Sequence, residues 1–127
     1  MLHFREFEAG PDASGRTFQV LFRYQQNGIA IRHADTVEVG FLLVGPEGAR
    51  ALKTVCLPQA GLPRVAAATG RAVDDAWCAR LAARHLLDAV STGQDMEKDF
   101  LTVSAADLER HAAALARAEQ EELRRRA

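Results

Sequence analysis

The chain has 127 residues, of which 48% are hydrophobic and 26% are charged, and its formal net charge is −1 at pH 7. This length and composition are typical of one globular domain. The near-zero charge excludes a global attraction to nucleic acid or to an anionic membrane, and no apolar segment approaches the roughly 20 residues that cross a bilayer.

The basic residues are almost all arginine, since only Lys53 and Lys98 among 16 are lysine. Together with abundant alanine, this usage is typical of a GC-rich bacterial genome. The start of the chain lacks the pattern of a signal peptide. The two cysteines, Cys56 and Cys78, show no metal-ligand spacing, and a domain of this size does not need a disulfide. We therefore expect a cytoplasmic bacterial protein without a metal or another cofactor.

Apolar residues in the first half of the chain recur at every second position, which is the period of a strand with one buried face. Residues 3–8 are expected to form a short edge strand, and residues 17–25 a longer one. The pair Asn27-Gly28 is the strongest hairpin signal, because both residues of a type I′ turn need positive φ. A two-residue turn at this pair would set Tyr24 opposite Ile31.

The stretch that follows has all its large apolar residues at odd positions, on both sides of the polar triplet His33-Ala34-Asp35. Two arrangements keep one face buried. Either the triplet is a three-residue loop, which pairs Ile31 with Val37, or one bent strand runs through it. The loop is preferred because strands rarely exceed ten residues.

The segment Gly45-Pro46-Glu47-Gly48 predicts a turn, with proline at its first central position. The strand over residues 50–57 would then pair Leu52 with Phe41 across a four-residue loop. In this register Val55 lies on the second face of the sheet.

The hydrophobic period changes to that of a helix after about residue 60. One helix is expected over residues 73–91, with Gly93 as a left-handed cap. A second is expected over residues 104–126, with Ser104 as its N-cap.

These elements predict a single α+β domain over residues 1–127. An antiparallel meander of four or five strands occupies residues 1–58, and two C-terminal helices cover one face of it. Strands followed by helices argue against the alternation of a Rossmann fold.

His33 and Asp35 are the first candidates for chemistry, because residues two apart on a strand share a face and a carboxylate fixes the tautomer of a neighbouring imidazole. With Arg32 they could form a general base or an anion site. The alternative is a polar turn in which Asp35 bonds its own backbone. His85 is the only member of its helical stripe that is not apolar, and we expect it to bond a backbone carbonyl or Asp88.

The cysteines predict no nucleophilic chemistry. Cys78 shares a helix face with His85, but two helical turns separate them by about 10.5 Å, which is too far for a nucleophile and its base. Cys56 is expected on the inner side of the sheet, where a thiol is shielded and inert.

The sequence therefore contains no catalytic, metal or nucleotide motif. Two helices cover only one face of a sheet, and the terminal helix continues beyond its apolar stripe. We interpret the chain as a non-enzymatic protein-interaction module that forms a homo-oligomer or binds a protein partner. The alternative is a small-molecule-binding protein or enzyme with a pocket between sheet and helices, using His33, Asp35, Arg32 and His85. The residues expected at the interface on the second face are Leu21, Leu42, Val44 and Val55.

Overall fold

The computed structural model describes residues 3–28 and 35–126, which form one five-stranded sheet and three helices. The strands lie in chain order, and all neighbours are antiparallel except the last pair, which is parallel. This confirms the predicted α+β fold of an antiparallel sheet with C-terminal helices; the parallel fifth strand, which lies outside residues 1–58, and one short helix were not predicted. The strands are β1 (Glu6–Ala9), β2 (Phe18–Gly28), β3 (Thr36–Val44), β4 (Arg50–Pro58) and β5 (Phe100–Thr102), and the helices are α1 (Leu62–Ala68), α2 (Asp75–Thr92) and α3 (Ala105–Arg126).

The two long helices begin at side-chain caps. The Asp74 carboxylate accepts a hydrogen bond from the backbone N–H of Trp77 at 2.7 Å, and the Ser104 hydroxyl accepts one from Asp107 at 3.1 Å. α2 ends at Gly93, whose φ of 77° is left-handed. α2 lies directly on the sheet, whereas α3 packs on α2 and α1.

The core lies between the sheet and α2. Alternate residues of the strands face the helix layer, and the single tryptophan joins them from the first turn of α2. On the sheet and α2, the larger fully buried side chains are Val20, Val39, Phe41, Leu43, Leu57, Trp77, Leu81, Leu86 and Leu101.

The hairpin predicted at Asn27-Gly28 is wrong, because β2 continues through both residues. Asn27 pairs with Val37, and Gly28 pairs with Thr36. β3 is bonded to β2 on one side and to β4 on the other. The choice between loop and bent strand concerns residues 29–34, which lie outside the described residues.

A β-bulge in β2 changes which side chains share a face. Phe22 pairs with Phe41, but Tyr24 pairs with Gly40, so one extra residue is inserted at Arg23. A bulge of this kind reverses the alternation of side chains beyond it. Tyr24, which the unbroken period placed beside Phe22, therefore faces away from the helices.

The register between β3 and β4 differs by one residue from the prediction. Leu42, rather than Phe41, pairs with Leu52. The loop contains five residues, because Glu47 adopts a left-handed conformation with a φ of 65° and the loop closes through a 2.7 Å backbone hydrogen bond from Gly45 to Ala49.

This slip moves every side chain of β4 to the opposite face, because the period of a strand is two. Val55 is 0% exposed and belongs to the core, so its predicted place on the second face is wrong. Cys56 pairs with Glu38 and Thr102. It lies on the side away from the helices, which corrects its predicted inner position.

Lys53 anchors the turn that joins α2 to β5. Its side chain is on the helix side of β4, and the residue is 7% exposed. The ammonium group donates hydrogen bonds to the backbone carbonyls of Met96 at 2.8 Å and Lys98 at 2.7 Å. The compact ammonium donates to both carbonyls from a single nitrogen atom, which gives this lysine a specific structural role in an arginine-rich chain.

We predict that Lys53→Met lowers the free energy of unfolding by about 2 kcal/mol, because two carbonyls lose a charged donor. The other lysine provides the control: Lys98 makes only a surface ion pair with Asp95, and Lys98→Met should cost less than about 0.5 kcal/mol. Urea unfolding of both variants measures the difference. Equal effects would contradict the anchoring role.

Candidate functional site

The face of the sheet opposite the helices, here called the outer face, carries a central apolar band. Leu21, Leu42 and Leu52 stand directly opposite one another across β2, β3 and β4. The next row contains Tyr24 and Phe100, on β2 and β5. Leu52 is 49% exposed and Phe100 is 57% exposed. Large apolar side chains that remain exposed in adjacent rows are typical of an interaction surface.

Tyr24 forms the floor of this band. Its ring lies across Gly40, where an added Cβ would overlap the ring, and its hydroxyl hydrogen-bonds the Thr54 hydroxyl at 2.6 Å. The missing side chain at Gly40 thus lets an aromatic ring lie flat on the neighbouring strand. The ring closes the outer face over a part of β3 that would otherwise be exposed backbone.

Charges of opposite sign flank the band. Glu6 and Glu8 are exposed on β1, at one edge of the sheet. Arg50 is exposed on β4 in the same row as Glu8, with Gln19 and Val44 between them. Glu8 and Arg50 therefore lie on opposite sides of the band.

The structure places three of the four predicted interface residues on the outer face, namely Leu21, Leu42 and Val44, all half-buried. Sequence reasoning missed Leu52, Tyr24 and Phe100. The first two were assigned to the inner face by the wrong register and the undetected bulge. Phe100 belongs to a strand of three residues, which is too short to show a period.

His85 contacts another histidine rather than a backbone carbonyl. Its Nδ1 lies 3.0 Å from Nε2 of His111, which is 1% exposed in the seam between α2 and α3. The Nδ1 of His111 is 3.9 Å from the Asp88 carboxylate. Arg110 covers this pair from outside, because its guanidinium binds Asp88 at 2.6 Å and Asp107 at 3.0 Å.

Burial keeps the histidine pair neutral. Desolvation is the main cause that lowers the pKa of His111 to about 4, and it also lowers the pKa of His85. Repulsion by Arg110 adds to both effects, while the carboxylates of Asp88 and Asp107 oppose them. An N···N hydrogen bond needs one donor and one acceptor, so two neutral imidazoles satisfy each other here. The arrangement is a polar contact that stabilises the helix seam.

The residues predicted to bind a small ligand are not brought together within the described ranges. Asp35 is exposed just before β3, and its carbonyl accepts a hydrogen bond from Gln59 at 3.0 Å. His85 lies in the α2–α3 seam and none of its described contacts involves Asp35. Arg32 and His33 lie outside the described residues.

Neither cysteine is activated for nucleophilic chemistry. Burial is the main cause that raises the pKa of the Cys78 thiol to about 11, and it also raises the pKa of Cys56. Within residues 3–28 and 35–126, no group of three or more His, Cys, Asp or Glu side chains is arranged to hold a metal ion. None of the helices described in those ranges is long and apolar enough to cross a membrane.

No protein-family model matches this chain, and the searches of curated proteins and of solved structures likewise found no match.

We predict that the protein loses about 2 kcal/mol of stability between pH 7 and pH 5 through His111. The unfolded histidine takes up a proton below its ordinary pKa of 6.5, but the folded one resists protonation until about 4. Stability is thus fully present above pH 6.5 and is lost as the pH falls toward 4. The measurement is urea unfolding at pH 7, 6 and 5.

The variant His111→Gln keeps a hydrogen-bonding side chain without this titration, so its stability should vary less with pH. His3→Gln changes an exposed histidine and should retain the wild-type slope. A wild-type protein equally stable at pH 7 and pH 5 would contradict the neutral pair.

We also predict that Gly40→Ala costs about 2 kcal/mol, because the new Cβ displaces the Tyr24 ring. In a Tyr24→Ala background the same change should be neutral or slightly stabilising, since alanine suits a strand better than glycine does. A double-mutant cycle in chemical unfolding measures the coupling. Additive effects would show that the ring does not depend on this glycine.

Proposed function

We propose that this protein is a non-enzymatic interaction module whose outer face binds a second copy of the same chain. The observation that carries the proposal is the exposed apolar band of Leu21, Leu42 and Leu52, with Tyr24 and Phe100 beside it. The described helices all lie on the other side of the sheet. Burying this band between two sheets would remove apolar surface from water, which is the main driving force of association.

The distribution of charge favours a second copy as the occupant. A two-fold axis parallel to the strands, between β2 and β3, sets β1 of one copy over β4 of its partner. Glu8 of each copy then faces Arg50 of the other and Leu21 faces Leu42, while Leu52 faces Glu6. Aligned sheets pack face to face about 10 Å apart, so side chains from both faces would interdigitate.

The same charges exclude the other face-to-face arrangement. A two-fold axis perpendicular to the strands would set β1 over β1, and the acidic pair Glu6 and Glu8 would meet its own image. Like charges opposed in an interface cost several kcal/mol. Of these two symmetries, the axis parallel to the strands is compatible with the surface, and the resulting interface is isologous, as in most homodimers.

We also propose that the module acts in the bacterial cytoplasm. The arginine- and alanine-rich composition supports a bacterial origin. The two cysteines are buried and unpaired, which agrees with a reducing compartment.

We predict that Leu42→Glu weakens self-association at least tenfold, because it places a charge at the centre of the apolar band. Leu123→Glu is the matched control, since Leu123 is exposed near the end of α3. Sedimentation velocity across micromolar concentrations measures association, and circular dichroism verifies that both variants are folded. A monomeric wild-type protein, or a Leu42→Glu variant that associates like wild type, would contradict the proposal.

A further inference from the structure

A cleft of about 420 Å³ opens on the helix side of the sheet, beside the C-terminal end of α2. It lies between the turn at residues 12–16, the strands β2 to β4 and the turn after α2. Small-molecule sites in proteins have volumes of about 300 to 1,000 Å³. The cleft is thus large enough for a small organic ligand, and it is separated from the outer face by the sheet itself.

The floor of the cleft is apolar. Leu43 and Val90, both buried core residues, lie at the bottom of the cleft, and the partly buried Phe18 and Met96 flank them. Ala51 lies opposite Leu43 on β4 and leaves space above the floor, because its side chain is a single methyl group. The body of a ligand that fits here must be alkyl or aromatic.

Cationic side chains line the cleft beside this floor. They are Arg16 and Lys53, together with a single acid, Asp12. Arg50 also borders the cleft, but its side chain belongs to the outer face. One Asp12 oxygen accepts the backbone N–H groups of Ser14 and Arg16 at 2.9 Å each, and the other accepts the Arg16 side chain at 3.1 Å. Arg16 and Asp12 therefore form an ion pair, and Lys53 is the cation that remains for a ligand.

Lys53 leaves one donor for a ligand. Its ammonium has three N–H groups, and two of them bind the carbonyls of Met96 and Lys98. The nearest carboxylate, that of Asp99, is 4.0 Å away and highly exposed, which is beyond hydrogen-bond range. A buried ammonium with a free donor at the side of an apolar cleft is suited to an anionic group.

We propose that this cleft binds a small amphipathic anion, with its apolar body over Leu43 and Val90 and its carboxylate or similar head group at Lys53. This site contains none of the residues that the sequence indicated for a ligand. The inference does not depend on self-association, because the floor of the cleft and the apolar band are on opposite faces of the sheet.

The test is an NMR titration of the amide signals with decanoate, and in parallel with decyltrimethylammonium, which has the same chain and the opposite charge. Decanoate is expected to shift signals of residues 16–18, 43, 51–53 and 90–96 and to bind at least tenfold more tightly than the cation. Equal binding of the two amphiphiles in the cleft, or shifts from decanoate confined to the outer face, would overturn the proposal.

A cavity-filling variant supplies the second measurement. Ala51 is exposed, so Ala51→Phe should fill the cleft without disturbing the core and should weaken decanoate binding at least tenfold. Ala113→Phe, at an exposed position of α3, is the control and should bind as wild type does. Undiminished binding by a folded Ala51→Phe variant would place the ligand elsewhere and overturn the proposal. Sedimentation velocity of Ala51→Phe shows whether self-association is unchanged, so that a loss of decanoate binding can be distinguished from a loss of the dimer.

Discussion

The register of β3 with its two neighbours is the constraint on which the rest of the structure depends. Side chains alternate between the faces of a strand, so a shift of one residue exchanges core and surface. Pairing Leu42 with Leu21 and Leu52 sends Val39, Phe41 and Leu43 toward the helices. The same pairing assembles the apolar band on the outer face. The core and the proposed interface are therefore two consequences of one set of backbone hydrogen bonds.

The helix layer covers the sheet unevenly, and this accounts for both proposed sites. α2 lies on the strands, whereas α3 packs on α2 and α1. All three helices therefore lie on the same side of the sheet. The outer face is left with its apolar band. Beyond the end of α2, where Gly93 terminates the helix, the sheet is only partly covered, and the cleft forms above Leu43. The contact between His85 and His111, in contrast, joins α3 to α2 and stabilises the fold.

Local signals in the sequence predicted the fold class and the helix caps well. Ser104 and Gly93, for example, cap helices through contacts with residues only a few positions away. Features that depend on distant residues were not predictable. The left-handed conformation of Glu47 decides whether the loop after Val44 has four or five residues. The composition of the loop does not reveal this conformation. The bulge at Arg23 leaves no sign in the sequence, because large apolar residues continue at every second position across it. The partner of His85 is 26 residues away on another helix.

The central claim is that two copies associate through their outer faces about an axis parallel to the strands. Reversing the charge of Glu8 or of Arg50, which lie at the two ends of one row of the outer face, tests this claim most directly. Glu8→Arg alone and Arg50→Glu alone should each be monomeric, because every contact between the two positions becomes repulsive. An equimolar mixture of the two variants should restore a dimer, since opposite charges then meet at both ends. A mixture that stays monomeric in sedimentation velocity, or single variants that dimerise like wild type, would contradict the account.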